Sequence, residues 1–170
     1  DRGTARPEEY RDMAVEYLKS GRDTILLTDT AYDRELIELS QEVGEKSGMD
    51  LTEVGDYVRS LIGRMAKEVL DSVKVSGVYL TGGDTALGML MNIGADGSEI
   101  LAEILVGVPL VRVKGGACEG LKLVTKAGAF GTEDAAAFAM RKIKLANKCQ
   151  AIFEKNWIVK KGNFNKHHSR

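Results

Sequence analysis

GVYLTGGDTALGMLMNIG, from Gly77 to Gly94, is the stretch that decides how this chain is built. Val78, Tyr79 and Leu80 make a short apolar run that ends in Thr81-Gly82-Gly83-Asp84-Thr85. An almost wholly apolar segment follows from Ala86 to Ile93, and Gly94 stops it. The pattern predicts a buried strand, a tight glycine turn and a buried helix. Gly82 and Gly83 leave the backbone bare, so amide N–H groups can face outward and an anion can approach closely. The helix start adds its unpaired first-turn donors and the positive end of its dipole. Asp84 or Thr85 is placed to cap that helix. The turn is therefore a candidate phosphate cradle, although neither GxxxxGK[ST] nor GxGxxG is present.

A second turn of the same kind lies downstream. Leu121 to Thr125 reads as a strand, antiparallel to a preceding one over Val108–Val113, with Lys114–Gly120 as the loop between them. Then come Lys126-Ala127-Gly128-Ala129-Phe130-Gly131 and Thr132-Glu133-Asp134, which cap a long helix with Ala135, Phe138, Ala139, Ile143 and Ala146 inward. Paired glycine turns at helix starts, one with a lysine to meet negative charge, point to phosphate binding more strongly than either alone.

The remaining elements read as follows. Pro7 opens a helix with Glu8 and Glu9 in its first turn, and Gly21 closes it. Thr24–Thr28 (TILLT) is expected to be a short buried strand, with the turn Thr28–Thr30 at its end as a second place for a ligand. Leu36, Leu39 and Val43 mark a further helix, with Gly44–Gly48 as a loop. Asp50 and Glu53 form a capping box before an amphipathic helix carrying Val54, Val58, Leu61, Ile62, Met65, Val69 and Leu70. Ser98–Val106 is ambiguous between helix and strand. The expected class is α/β: one domain, with a mostly parallel or mixed sheet and flanking helices.

Composition excludes some functions. With 44% hydrophobic and 29% charged residues, the 170-residue chain suits one globular domain. No apolar run approaches the ~20 residues needed to cross a bilayer. Cys118 and Cys149 lack ligand-like spacing and read as reduced thiols. His167 and His168 sit in a polar terminus. There is no HExxH, Ser/His/Asp or Cys/His arrangement, so hydrolase and metal-site readings have no support, and no catalytic residue is assigned.

With both turns in hand, the chain resembles the C-terminal nucleotide-binding domain of the four-carbon acid sugar kinase family. The resemblance runs through GVYLTGGDTA (Gly77–Ala86), GVPLVRV (Gly107–Val113) and LVTKAGAFGTED (Leu123–Asp134). It implies a cytoplasmic, ATP-dependent kinase (a phosphotransferase with an alcohol acceptor) acting on sugar acids such as threonate or erythronate. Gly82, Gly83, Asp84 and Thr85 would form the nucleotide-binding turn, and Gly128 a further ATP contact with Lys126 and Gly131 beside it. Mg²⁺ would accompany ATP, with Asp84 either holding it or, as favoured here, capping the helix. Residues 1–150 would be the nucleotide-binding domain and 151–170 a basic tail. The sugar acid and the base that activates its hydroxyl would belong to a separate N-terminal domain. A homo-oligomer is compatible with this reading; nucleic acid and membrane are not expected partners. The alternative is a non-catalytic module that senses a nucleotide or a phosphorylated metabolite.

Residues 141–170 carry nine Lys/Arg against one acid, whereas residues 1–140 carry 15 basic and 24 acidic residues. A basic tail suggests polyanion binding, but these lysines follow a helix face and a polar terminus without clustered aromatics. Nucleic-acid binding is therefore expected to be absent. Tight, salt-sensitive retention of DNA or RNA, lost on truncation after Asn147, would contradict that.

Overall fold

The computed structural model describes residues 6–128 and 131–148. Three helices precede the sheet: α1 (Pro7–Lys19), α2 (Glu35–Lys46) and α3 (Leu51–Ser72). Then follow β1 (Val78–Thr81), α4 (Gly83–Asn92), β2 (Gly97–Leu105), β3 (Val108–Lys114), β4 (Lys122–Lys126) and a final helix, α5, over 135–148. The basic tail over 151–170, Cys149, His167 and His168 lie outside the described residues.

Local chemistry accounts for the helix starts. Pro7 occupies the first turn of α1, where its missing N–H has no helical partner to lose. At α3 the capping box forms in both directions. Glu53 N–H donates to Asp50 Oδ1 at 2.9 Å, and Asp50 N–H donates to Glu53 Oε2 at 2.8 Å. A cap of this kind is worth about 1 kcal/mol and fixes where the long helix begins.

Among the described residues the sheet has four strands, in the order β1-β4-β3-β2. β1 and β4 run parallel; β4–β3 and β3–β2 are antiparallel. Of the two sheet types left open by the sequence, the protein has the mixed one. Side chains alternate between two apolar layers. Leu80, Val111, Val113 and Leu123 meet Met89 and Ile93 of α4, with Ala66 and Leu70 of α3 behind them. Val108, Leu110 and Val124 meet Ala139 and Ile143 of α5 on the opposite face. Helices on both faces allow the parallel pair to be buried, as parallel strands require. Asn147 fastens α5 to the sheet, donating to the Ser76 carbonyl and accepting from the buried Lys122 ammonium.

Some expectations are corrected. Thr24–Thr28 is not a strand: among the described residues it has no ladder partner, and Ile25 is 81% exposed. Among the described residues β1 is an edge strand paired to β4, and TILLT has strand-like residues without strand hydrogen bonds. Thr28–Thr30 consequently does not end a strand. It forms a 3₁₀ turn at Asp29–Ala31, with the Thr28 and Thr30 hydroxyls 2.6 Å apart. Gly44 lies inside α2, buried against Val54 of α3, and does not open a loop. The ambiguous Ser98–Val106 segment is a strand, β2, and bulges at Ile100/Ala102 and Glu103/Leu105 blur its alternation.

The tightest helix contact joins α3 to α4. A Cβ on Gly63 would fall 2.3 Å from the Gly88 carbonyl oxygen, and one on Gly88 would fall 2.6 Å from the Arg59 carbonyl oxygen. Both obstacles are backbone, so neither can rotate away. Gly88→Ala is expected to destabilise the fold by about 1–3 kcal/mol in urea unfolding. Gly55→Ala, on open surface of the same α3, should instead stabilise by about 0.5–1 kcal/mol.

Candidate functional site

β1 and β4 are adjacent, parallel and in register from Val78↔Leu123 to Thr81↔Lys126, so both end at the same edge of the sheet. The glycine turns that follow them are thereby brought together. They are joined directly: Gly82 N–H donates to the Lys126 carbonyl at 2.9 Å. The carboxyl ends of parallel strands are where open α/β sheets hold ligands.

The first turn is shaped by Gly82, which caps α4 with φ 94° and ψ 133°. That backbone is strained for any residue with a Cβ. Ala86 N–H closes the first helical turn onto the Gly82 carbonyl at 3.1 Å. Helix geometry leaves the N–H groups of Gly83, Asp84 and Thr85 without intrahelical acceptors. Among the described residues, a Cβ on Gly83 would meet nothing within 4 Å, so the helix start is open at that position. Asp84 is not the helix cap. Gly82 holds that position, and Asp84 is the second helical residue, exposed and without a side-chain capping bond.

The second turn is shaped around Lys126. Its ammonium donates to the carbonyls of Ala127 at 2.9 Å and Gly128 at 2.8 Å. Among the described residues, a Cβ on Gly128 would likewise meet nothing within 4 Å. Gly131 has φ 89°, and a Cβ there would sit 3.3 Å from Lys126 Cδ and 3.2 Å from Ala135 Cβ. Thr132 Oγ1 donates to Asp134 Oδ1 at 2.6 Å, and Ala135 N–H donates to the Thr132 carbonyl at 3.0 Å, opening α5. Gly82–Thr85 and Lys126–Gly128 thus share one edge, with Gly131 held against the lysine stem. The tie between Gly82 and the Lys126 carbonyl was not legible in the sequence, because it depends on which strands become neighbours.

The chemistry on offer is electrostatic: backbone donors, a helix dipole, an ammonium and one exposed carboxylate. Among the described residues no group of three or more His, Cys, Asp or Glu is placed to hold a metal ion. Cys118 is no nucleophile candidate. Burial pushes its thiol above the usual range, Asp71 adds to this, and Lys67 only partly opposes it. A groove of about 300 Å³ between α1 and α3, floored by Leu61 and Met65, involves none of the glycine-turn residues. No helix among the described residues is long and apolar enough to cross a membrane.

Residues 2–136 match the model of a family described as the nucleotide-binding C-terminal domain. The chain belongs to that family. Its relatives place this domain among the four-carbon acid sugar kinases. The nucleotide-binding domain is 31% identical over 123 residues to the D-threonate kinase of Salmonella typhimurium, covering 72% of this chain and 28% of that protein. It is 37% identical over 91 residues to the D-threonate kinase of Bordetella bronchiseptica, covering 54% of this chain and 22% of that protein. The matched stretches therefore span less than a third of either kinase. A Bordetella bronchiseptica protein solved with bound citrate as a domain-swapped dimer matches with TM-score 0.53 and 26% identity, over 83% of this chain and 39% of that one. A Haemophilus influenzae protein matches with TM-score 0.55 at 17% identity, over 82% of this chain and 34% of that one, which shows likeness of fold.

The two glycines of the first turn should respond differently to alanine. Gly82→Ala, forced to positive φ, is expected to lose about 1–2 kcal/mol of stability. Gly83→Ala, in helical backbone facing open space, should be neutral or slightly stabilising. Urea unfolding of the two variants checks the contrast.

Proposed function

We propose that this chain is the ATP-binding part of a cytoplasmic kinase that phosphorylates a four-carbon sugar acid of the threonate or erythronate type. The observation that carries the reading is the β1–β4 pairing, which sets two glycine turns side by side under open space. A nucleotide fits the residues present. The bare Gly83 and Gly128 positions leave room for phosphate, and the α4 start supplies donors. In this reading Gly82, Gly83, Asp84 and Thr85 surround the phosphates, while Gly128, with Lys126 and Gly131 beside it, lines the second side. Asp84, exposed and free of a capping duty, is the residue suited to a Mg²⁺ that accompanies ATP, directly or through water.

Phosphoryl transfer asks a protein mainly for positioning and charge stabilisation. Backbone amides and a cation serve the nucleotide side of that task. The acceptor hydroxyl and its base then belong to the sugar-acid domain of the whole kinase, with residues 1–150 as the nucleotide domain and 151–170 as a basic tail. The domain-swapped dimer of the solved relative supports testing this chain for self-association.

Calorimetry with ATP, ADP and simple phosphosugars tests the reading. Adenine nucleotides are expected to bind in preference, and Gly83→Val should remove that binding while leaving the fold intact. Equal affinity for phosphosugars would favour a non-catalytic sensor of phosphorylated metabolites. Nucleotide affinity unchanged in a folded Gly83→Val variant would remove this turn from the site.

Turnover is expected to be negligible with the 170-residue chain alone, Mg-ATP and a panel of four-carbon sugar acids. Holding an acceptor in line contributes up to roughly 7–11 kcal/mol in well-oriented systems, and that contribution needs the acceptor's own binding domain. Product formation abolished by Gly83→Val would show that the chain is a kinase by itself.

A further inference from the structure

Resting on the nucleotide reading, we propose that Lys126 is a positioning residue that clamps both glycine turns and does not itself bind phosphate. Its backbone holds the first turn, since its carbonyl accepts Gly82 N–H at 2.9 Å. Its side chain holds the second, since the ammonium donates to the carbonyls of Ala127 and Gly128 at 2.9 and 2.8 Å. Gly131 keeps the path of the side chain clear, because a Cβ there would press on Lys126 Cδ at 3.3 Å.

The consequence follows from peptide geometry. In a trans peptide the N–H points opposite to the C=O of the same plane. The Ala127 carbonyl shares its plane with the Gly128 amide, so a carbonyl turned toward the ammonium turns the Gly128 N–H away from it. Gly128 has open space where a side chain would be. Lys126 thus sets the orientation of an amide donor in advance of any ligand, and ordering the turn need not be charged against binding. A positive charge so placed also favours nearby anions, but two of its donors are directed to the carbonyls of Ala127 and Gly128.

The test uses Lys126→Met and Lys126→Arg in the full 170-residue chain. Backbone ¹⁵N relaxation without ligand is expected to show the Ala127, Gly128 and Gly131 amides loosening in Lys126→Met, from order parameters of about 0.85 toward 0.6 or below. Lys126→Arg, which keeps several donors, should restore them. Calorimetry with AMP, ADP and ATP should show Lys126→Met weakening all three by the same factor, about tenfold. A loss that grows from AMP to ATP would make Lys126 a phosphate ligand and overturn the proposal. Unchanged order parameters would overturn it as well. If the unaltered protein binds none of the three nucleotides, the nucleotide reading fails, and relaxation alone decides whether the clamp exists.

Discussion

The parallel pairing of β1 with β4 is the constraint on which the rest of this domain depends. Their turns are more than forty residues apart in the chain, yet the pairing makes Thr81 and Lys126 direct neighbours. Parallel neighbours need a crossover that returns the chain to the starting end of the sheet. Here α4, β2 and β3 provide that return, so the β2–β3 hairpin is part of the path between the turns. Burial on both faces follows. α3 and α4 cover one side and α5 the other, because a parallel pair left open to water would sacrifice the apolar area that stabilises it.

The position of α4 is set from behind. Gly63 and Gly88 let α3 and α4 approach until side-chain atoms would strike backbone, which fixes α4 against a long helix with a well-defined start. Asp50 and Glu53 define that start. The α3–α4 packing thus holds α4 from behind, while Gly82 and its bond to the Lys126 carbonyl shape the turn in front of it. Glycine has two separate uses in this domain. At Gly82 and Gly131 it permits positive φ, whereas at Gly63 and Gly88 it permits close approach in helical backbone.

Elements governed by local chemistry were legible in the sequence. The α3 capping box, the turn at Gly82-Gly83, the β3–β4 antiparallel pair and Ala139, Ile143 and Ala146 on the inner face of α5 all follow from spacing and residue type. Phe138, expected on that face, instead packs under Arg141 and Lys142. What was not legible required knowledge of neighbours. TILLT has the composition of a buried strand, but strand formation needs a partner ladder, which it lacks among the described residues. β2 hid in the opposite way: it has a partner, while its bulges spoil the alternation that would announce it. Gly44 resembled a helix stop because a glycine buried for packing and a glycine at a cap look alike in sequence.

Asp84 shows how one residue's placement alters the electrostatics of the site. As a cap, its carboxylate would have been occupied by an amide N–H; with Gly82 in that role, the carboxylate stands exposed in the first turn of α4. Alone, an acid there is favoured by the helix dipole by about 0.3–1 kcal/mol. It also opposes any phosphate drawn to the same helix start, since like charges in one site destabilise each other. A divalent cation between carboxylate and phosphate reverses the sign of that interaction, with oxygen ligands from both sides. Under the proposed function, the acid that would weaken a bare phosphate site is the feature suited to a metal-bound nucleotide. In that reading the glycine turn by itself would take any phosphate, and Asp84 would shift its preference toward one that arrives with its own cation.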